Sequence, residues 1–308
     1  MILDRSGTRV ISSVGWVDHG SLWLYDSLAR TTSRAHISDA DYLSLVEGAD
    51  GFFALVHHWQ GQAIRITAHD SADPTGILAA IDVADWVPRM SGDSQVWRKL
   101  PRVFVSYLNL AAHGAHGYFL ISVSPDRTTV RRVDWFDADT YDLDYQGVIS
   151  VAALEGSDEL VFGVQRSSDL VLWDIEQGTV TRRVPLADRG GNPSVQIINV
   201  SEAWVIDYDT VVKLDPNGWS ITGCRLMQPP DEDGRRMFVG SLSIDRDGMS
   251  VLVPRPGQGD VCILRRSDLE LLDCVDVGRQ PLVATRTANG AMVARDWKTG
   301  DLLMGPER

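Results

Sequence analysis

The sequence predicts an all-β chain folded as a single β-propeller of four-stranded blades. Two observations predict it. The first is a phrase that recurs about once every forty residues: a short apolar strand, an Asp, a tight turn and a second strand. Its clearest copy is Leu172-Trp173-Asp174-Ile175-Glu176-Gln177-Gly178, and Lys213-Leu214-Asp215-Pro216-Asn217-Gly218 and Met1-Ile2-Leu3-Asp4-Arg5-Ser6-Gly7 are two others. Looser copies end in Asp26, Asp70, Asp137 and Asp268. The second observation is turn chemistry. Asp50-Gly51, Asp247-Gly248, Asn289-Gly290 and Asn217-Gly218 punctuate the apolar runs. Such pairs supply the positive φ angles that two-residue hairpins need.

Taken in order, residues 1–14 read as the end of a third strand, a turn and a fourth strand. Residues 15–38 are too short for four more strands and are expected to form a reduced blade. Residues 40–83 fit a full blade, with strands at 42–46, 52–57, 63–67 and 77–83. The stretch 84–100 is expected to be a long loop. Residues 101–146 form a looser unit with an Asp- and Tyr-rich last strand. The units 147–188, 193–228 and 237–278 each carry four short strands separated by turns. Residues 281–304 supply three strands before the sequence stops. Pairing them with residues 1–14 would close a ring through the two ends and remove exposed sheet edges. Seven blades are expected, with six as the alternative.

Leu170-Val171-Leu172-Trp173-Asp174 resembles the strand that ends in Trp-Asp in WD-repeat propellers. The pair occurs once in that position, and the Gly-His pair that opens such repeats is absent. The resemblance implies the blade layout and nothing about partners. In propellers of this layout, the loops before the first strand and between the second and third strands share one end. Ligands usually meet that end near the central channel.

Composition narrows the functional classes. The 308 residues carry a net charge of −13, which disfavours binding to nucleic acid or to an anionic membrane surface. No apolar run reaches membrane-span length and no leader is visible, so a soluble, cytoplasmic protein is expected. Three Cys form no zinc pattern. Cys262 and Cys274 could face each other on a hairpin, but the odd count fits free thiols in a reducing compartment better. P-loop, GxSxG and dinucleotide glycine fingerprints are absent, so no cofactor is expected.

Candidate binding residues cluster on the loop-rich end. Trp86, Trp97, Arg98 and Arg102 lie in or beside the 84–100 loop, which could cap an anionic or aromatic ligand. Arg166, Arg235, Arg236, Arg255 and Trp297 would stand on other loops of that end, where Arg can grip carboxylates or phosphates. Trp59 follows His57 and His58, which are the candidate acid or base groups. Alternation sends those two His to opposite faces, and His113 and His116 are expected at the far end, so no metal site is expected. The expected function is an interaction scaffold that presents these loops to a protein partner and has no chemistry of its own. The alternative is a small-molecule site in the channel under the 84–100 loop, of lyase, isomerase or hydrolase type.

Overall fold

The computed structural model describes the chain apart from residues 5, 15–19, 38–41, 48–50, 59–62, 71–72, 84–93, 100–101, 108–114, 124–127, 138–147, 154–158, 165–168, 175–176, 178, 187–190, 192, 229–231 and 307–308. The described residues are β-strands, turns and irregular connections, and none forms a helix long and apolar enough to cross a membrane. Their strands build seven antiparallel sheets in chain order, six of four strands and one of three. The chain divides into two compact units, 1–87 with 230–308, and 88–229.

The first unit holds four sheets. Sheet 1 is β1 (Ile2–Leu3), β2 (Arg9–Ser13), β3 (Ser21–Asp26) and β4 (Thr31–His36). Sheet 2 is β5 (Tyr42–Glu47), β6 (Gly51–His58), β7 (Ala63–Asp70) and β8 (Ile77–Val83). The second unit holds three sheets. Sheet 3 is β9 (Ser94–Lys99), β10 (Arg102–Tyr107), β11 (Ala115–Val123) and β12 (Thr128–Asp137). Sheet 4 is β13 (Val148–Ala153), β14 (Glu159–Val164), β15 (Asp169–Asp174) and β16 (Thr179–Pro185). Sheet 5 is β17 (Pro193–Ile198), β18 (Ala203–Asp207), β19 (Thr210–Asp215) and β20 (Ser220–Leu226). Back in the first unit, sheet 6 is β21 (Ser243–Ile244), β22 (Ser250–Arg255), β23 (Asp260–Arg265) and β24 (Leu271–Asp276). Sheet 7 is β25 (Pro281–Arg286), β26 (Met292–Asp296) and β27 (Leu302–Met304).

The recurring Asp has a structural job. Asp26 Oδ1 accepts the amides of Leu28 and Ala29 at 2.9 and 3.0 Å. Asp4 Oδ1 accepts those of Thr8 and Arg9, both at 2.9 Å. Asp174 accepts Gln177 N, Asp215 accepts Asn217 N, and Asp268 accepts Glu270 N. Asp296 is the most heavily used: its Oδ1 takes Lys298 N and Thr299 N at 2.8 Å, and its Oδ2 takes Gln280 N at 3.2 Å. Several of these turns also close by a backbone bond four residues long, as in Trp219 N to Asp215 O and Gly300 N to Asp296 O. The residue four beyond the Asp is left-handed: Arg30, Trp219 and Gly300 have φ between 53° and 70°, and Gly259 and Leu269 take a similar angle in turns that close onto Arg255 O and Arg265 O. One carboxylate thus satisfies amides that the tight turn removes from the ladder.

Neighbouring sheets within each unit meet through first strands and small residues. In the second unit, buried Ser150 on β13 donates to Pro193 O at 3.2 Å and accepts Val195 N at 2.9 Å. Gly163 on β14 lets that contact close, because a Cβ there would lie 1.7 Å from Pro193 O. The apolar seam between sheets 4 and 5 includes Leu172, Val184, Val205 and Trp219. In the first unit, Ser243 Oγ donates to Ala284 O at 2.7 Å and Ser241 bridges Val283 in parallel, joining sheets 6 and 7.

The two ends of the chain meet differently from the expected strand exchange. Residues 9–13 pair with β1 and β3, so residues 2–36 make one complete four-stranded sheet. Residues 281–304 form the three-stranded sheet alone. The reason is that Met1–Gly7 carries the same carboxylate turn as the other phrases, but here it joins the first strand to the second. With β1 only two residues long, the phrase imitates the end of a third strand. Sheets 7 and 1 join by packing and by cross-sheet bonds instead. Val10, Tyr25 and Val293 form a cluster with Leu302 against it. Arg295 Nη1 donates to Ser13 Oγ at 2.9 Å, and Asn289 Nδ2 donates to Ser27 O at 3.0 Å.

Two outcomes test this picture. Burial raises the Asp296 carboxyl, but the amides of Thr299, Gln280 and Lys298 outweigh it and hold its pKa below the usual range. Its contribution is therefore complete above the unfolded carboxylate pKa near 4 and fades as pH falls through the lower folded value. Asp296→Ala should cost about 2–3 kcal/mol at pH 7 by chemical denaturation, and the deficit should shrink in acid. Gly300→Ala places a Cβ 2.0 Å from Val14 O at a residue with φ of 70°. It should cost about 2 kcal/mol or more, against near neutrality at exposed Gly218.

Candidate functional site

The sequence-selected residues scatter. Trp59, Trp86 and Arg166 lie outside the described residues. His57 and His58 close β6, where His57 pairs with Tyr42 and Ile64 and His58 with Ala63. Trp97 and Arg98 sit in strand β9, which corrects the reading of 84–100 as one loop. Residues 94–99 pair with β10 in register, Trp97 opposite Phe104, Arg98 opposite Val103 and Lys99 opposite Arg102. Polar and cationic side chains hid the strand. This adds a first strand to sheet 3, so the connection at 108–114 runs from second to third strand. That changes its expected end, although His113 itself is outside the described residues; His116 lies in β11.

Within the first unit, Arg235 is exposed, 3.7 Å from Asp233, and Arg236 is half-buried. Trp297 is half-exposed and packs edge-on against Phe238, with ring centroids 5.0 Å apart. Arg255 is engaged internally. It grips Asp260 through Nε at 2.8 Å and through Nη2, which also reaches Cys274 Sγ at 3.6 Å.

Cys274 is bonded to Cys262, the pairing that the sequence reading placed behind free thiols. The register explains it: Cys262 on β23 and Cys274 on β24 are direct cross-strand partners with Cα atoms 4.0 Å apart. The bond withdraws the thiol argument for a reducing compartment. Asp260, Cys262 and Cys274 are the one group of metal-ligand atoms close enough to share an ion among the described residues. The two sulfurs are bonded to each other and the carboxylate is held by Arg255. Cys224 is free and exposed.

A groove not anticipated from the sequence borders β27. In β26–β27, Asp301 O accepts Asp296 N and Gly305 N donates to Met292 O. Alternation then turns the amides and carbonyls of Leu302 and Met304 away from β26. Among the described residues no strand pairs with that edge. Beside it lies a cavity of about 480 Å³ lined by Trp23, Thr32, Val277, Gly278, Arg279 and residues 301–304. A second cavity of about 340 Å³ shares Thr32 and Met304 and adds Tyr25, Arg30 and Ala291. Sheet 6 supplies one wall from the end of β24, and sheet 1 supplies the other from β3 and β4. Leu303 is buried among sheet 6 residues, whereas Leu302 packs toward sheet 1. Arg34 stacks over Trp23 at 4.3 Å, and the Trp23 indole N–H has no acceptor among the described residues. Arg279 pairs with Asp301 at 2.8 Å on the rim. The one available sequence signal was the count of three strands in 281–304.

No protein-family model and no curated protein sequence matches the chain. Solved structures do. The β-propeller domain of Cps50 (Swd1) from Myceliophteria thermophila superposes with a TM-score of 0.67 at 12% identity, covering 100% of this chain and 96% of that one. A candidate 6-phosphogluconolactonase from Bacteroides fragilis gives 0.66 at 13% identity, covering 98% and 95%. AztD from Citrobacter koseri gives 0.55 at 11%, covering 92% and 87%. These likenesses, with the succession of four-stranded antiparallel sheets, establish the β-propeller fold. They leave function to the site, because this fold hosts unrelated activities.

Labelling checks the cysteine assignment. Without reductant, iodoacetamide should modify Cys224 alone, and a peptide map should show Cys262 linked to Cys274. Reduction of the folded protein should be slow, because Cys262 is fully buried and its thiolate would be a poor leaving group.

Proposed function

We propose that the protein is an interaction module whose binding surface for a protein partner includes the groove along β27. The seven sheets are read as seven blades of one propeller. The observation that carries the proposal is the edge of Leu302 and Met304, which no strand among the described residues pairs, lying beside two cavities with mixed apolar and polar walls. Exposed sheet edges template pairing with other chains, and proteins normally blunt or cover them. Cavities of this size fall within the range of ligand sites. Buried carboxylates of the same unit have structural partners: Asp296 caps its turn, and Asp245 lies 3.0 Å from Arg286.

The loop-borne reading of the sequence, in which Trp59, Trp86 and Arg166 meet a partner, belongs to the same class of function. Half-exposed Trp297 beside Phe238 supports a contribution from that segment. The small-molecule alternative rests on the 84–93 stretch outside the described residues, and no described feature favours it over the module.

Native mass spectrometry of the protein isolated from its own host tests the proposal. A second protein at fixed stoichiometry, weakened by Met304→Pro, is the expected result. A small molecule released on denaturation, with no second protein, would overturn it.

A further inference from the structure

Independently of the module reading, we propose that Cys274 is an oxidation site for hydroperoxides, and that the Cys262–Cys274 bond is the product of that oxidation after Cys262 resolves it. The two sulfurs stand in unlike places. Cys262 lies on β23, an interior strand of sheet 6, between Val253 on one side and Cys274 on the other, and is fully buried. Cys274 lies on β24, the last strand of that sheet, and is half-buried. A solute arriving from solvent therefore meets Cys274 first.

A guanidinium touches the same sulfur. Arg255 ends β22, and the amides of Gln258 and Gly259 both return to its carbonyl at 3.0 Å, in the tight turn that leads into β23. Across that hairpin Asp260 accepts from Arg255 Nε at 2.8 Å and from Nη2, which sets the plane of the guanidinium. Held so, Nη2 also donates to Cys274 Sγ at 3.6 Å. A positive donor beside a sulfur favours the thiolate, the form that attacks peroxides. The Asp260 carboxylate lies within 4.8 Å of both sulfurs and opposes the ionisation of either, so it does not select between them. The Arg255 contact does, because it falls on Cys274. Of the other carboxylates nearby, Asp273 accepts the Cys274 amide at 2.8 Å, and Asp276 stands opposite Asp260.

The chemistry takes two steps. The Cys274 thiolate attacks a hydroperoxide oxygen; an S–O bond forms, the O–O bond breaks, and the sulfur loses two electrons to the peroxide. The departing oxygen takes the proton released by the thiol and leaves as water or an alcohol, and Cys274 is left as the sulfenic acid. The Cys262 sulfur then attacks Cys274 Sγ. The S–S bond forms, the S–O bond breaks, and the hydroxyl leaves with the Cys262 proton as water. Register makes the second step short, since the two Cα atoms are 4.0 Å apart. Reduction is harder, because a thiol that attacks Cys274 must expel the buried Cys262 sulfur. The pair thus closes more readily than it opens.

The test uses the full chain with Cys224→Ser, which removes the free exposed thiol. With Cys262→Ser added, hydrogen peroxide followed by dimedone should place an adduct on Cys274. With Cys274→Ser instead, labelling of Cys262 should be about tenfold slower or less. Arg255→Met should slow Cys274 oxidation about tenfold at neutral pH and move the inflection of its rate–pH profile upward, with partial rescue by Arg255→Lys. The effect should persist in an Asp260→Asn background, where no carboxylate is left unpaired by the change. In the chain that keeps both cysteines, purified anaerobically under a phosphine, one equivalent of peroxide should form the disulfide. Dimedone present during that pulse should fall on Cys274, which keeps the test decisive if a serine variant misfolds. No adduct on Cys274, labelling of Cys262 at an equal or greater rate, or an Arg255→Met profile like that of the parent would overturn the proposal. So would closure by glutathione disulfide as fast as by peroxide, which would make the bond a product of thiol exchange.

Discussion

The fold depends on a single recurrent interaction, a carboxylate at a strand end accepting the amides of the turn that follows. A propeller blade is a run of tight hairpins, and each hairpin takes amides out of the ladder. Left unmet in a partly buried turn, each would cost roughly 1–3 kcal/mol. Asp4, Asp26, Asp174, Asp215 and Asp296 meet them locally from strand ends, and Asp247 and Asp268 do so from within their turns, so these turns need no neighbouring sheet to satisfy them. Part of the acidic character of the chain is therefore structural. Asp26 and Asp268 are held below the usual carboxylate range, first by the amides of Ala29 and Glu270 respectively, and they stay charged well into acid.

Between sheets the design changes from carboxylates to small residues. Ser150 with Gly163, and Ser243 with Ser241, bring one sheet's first strands onto the next through side-chain and backbone bonds. Large apolar residues then fill the seams, such as Trp219 and Val184 in the second unit. Trp204 is fully buried and carries Lys213 5.3 Å from its ring centre, while Lys213 also lies 3.4 Å from Glu202. A cation is thereby accommodated near the core by one ring and one carboxylate.

The all-β class, the four-stranded sheets and the propeller resemblance were legible because turn chemistry and short apolar runs are local signals. Phase was not. The Asp phrase marks hairpins of every kind: Asp4 follows a first strand, Asp296 a second, and Asp26 and Asp215 a third. Counting phrases as one per blade therefore misplaced residues 1–38. Residues 94–99 were missed because a segment that is polar at Ser94-Gln95 and cationic at Arg98-Lys99, with only Val96 and Trp97 apolar, looks like a loop when the apolar partner strand is not in view. The groove could not be read at all, since its walls come from Trp23, Val277 and Leu302, far apart in the chain. The disulfide was half-legible: the hairpin could be foreseen, but whether the register placed Cys262 opposite Cys274 could not.

The left-handed turn residue has a consequence for how such a chain diversifies. Arg30, Trp219 and Leu269 occupy a backbone region that favours Gly, yet the turn closes around them as it does around Gly259 and Gly300. The turns at Arg30, Trp219 and Gly300 are thus each pinned by one carboxylate and one backbone angle, and the angle does not dictate its residue. A blade specified by so little carries little shared information from copy to copy. Copies can drift apart in letters while holding the same shape, which is how 12% identity coexists with superposition over the full chain.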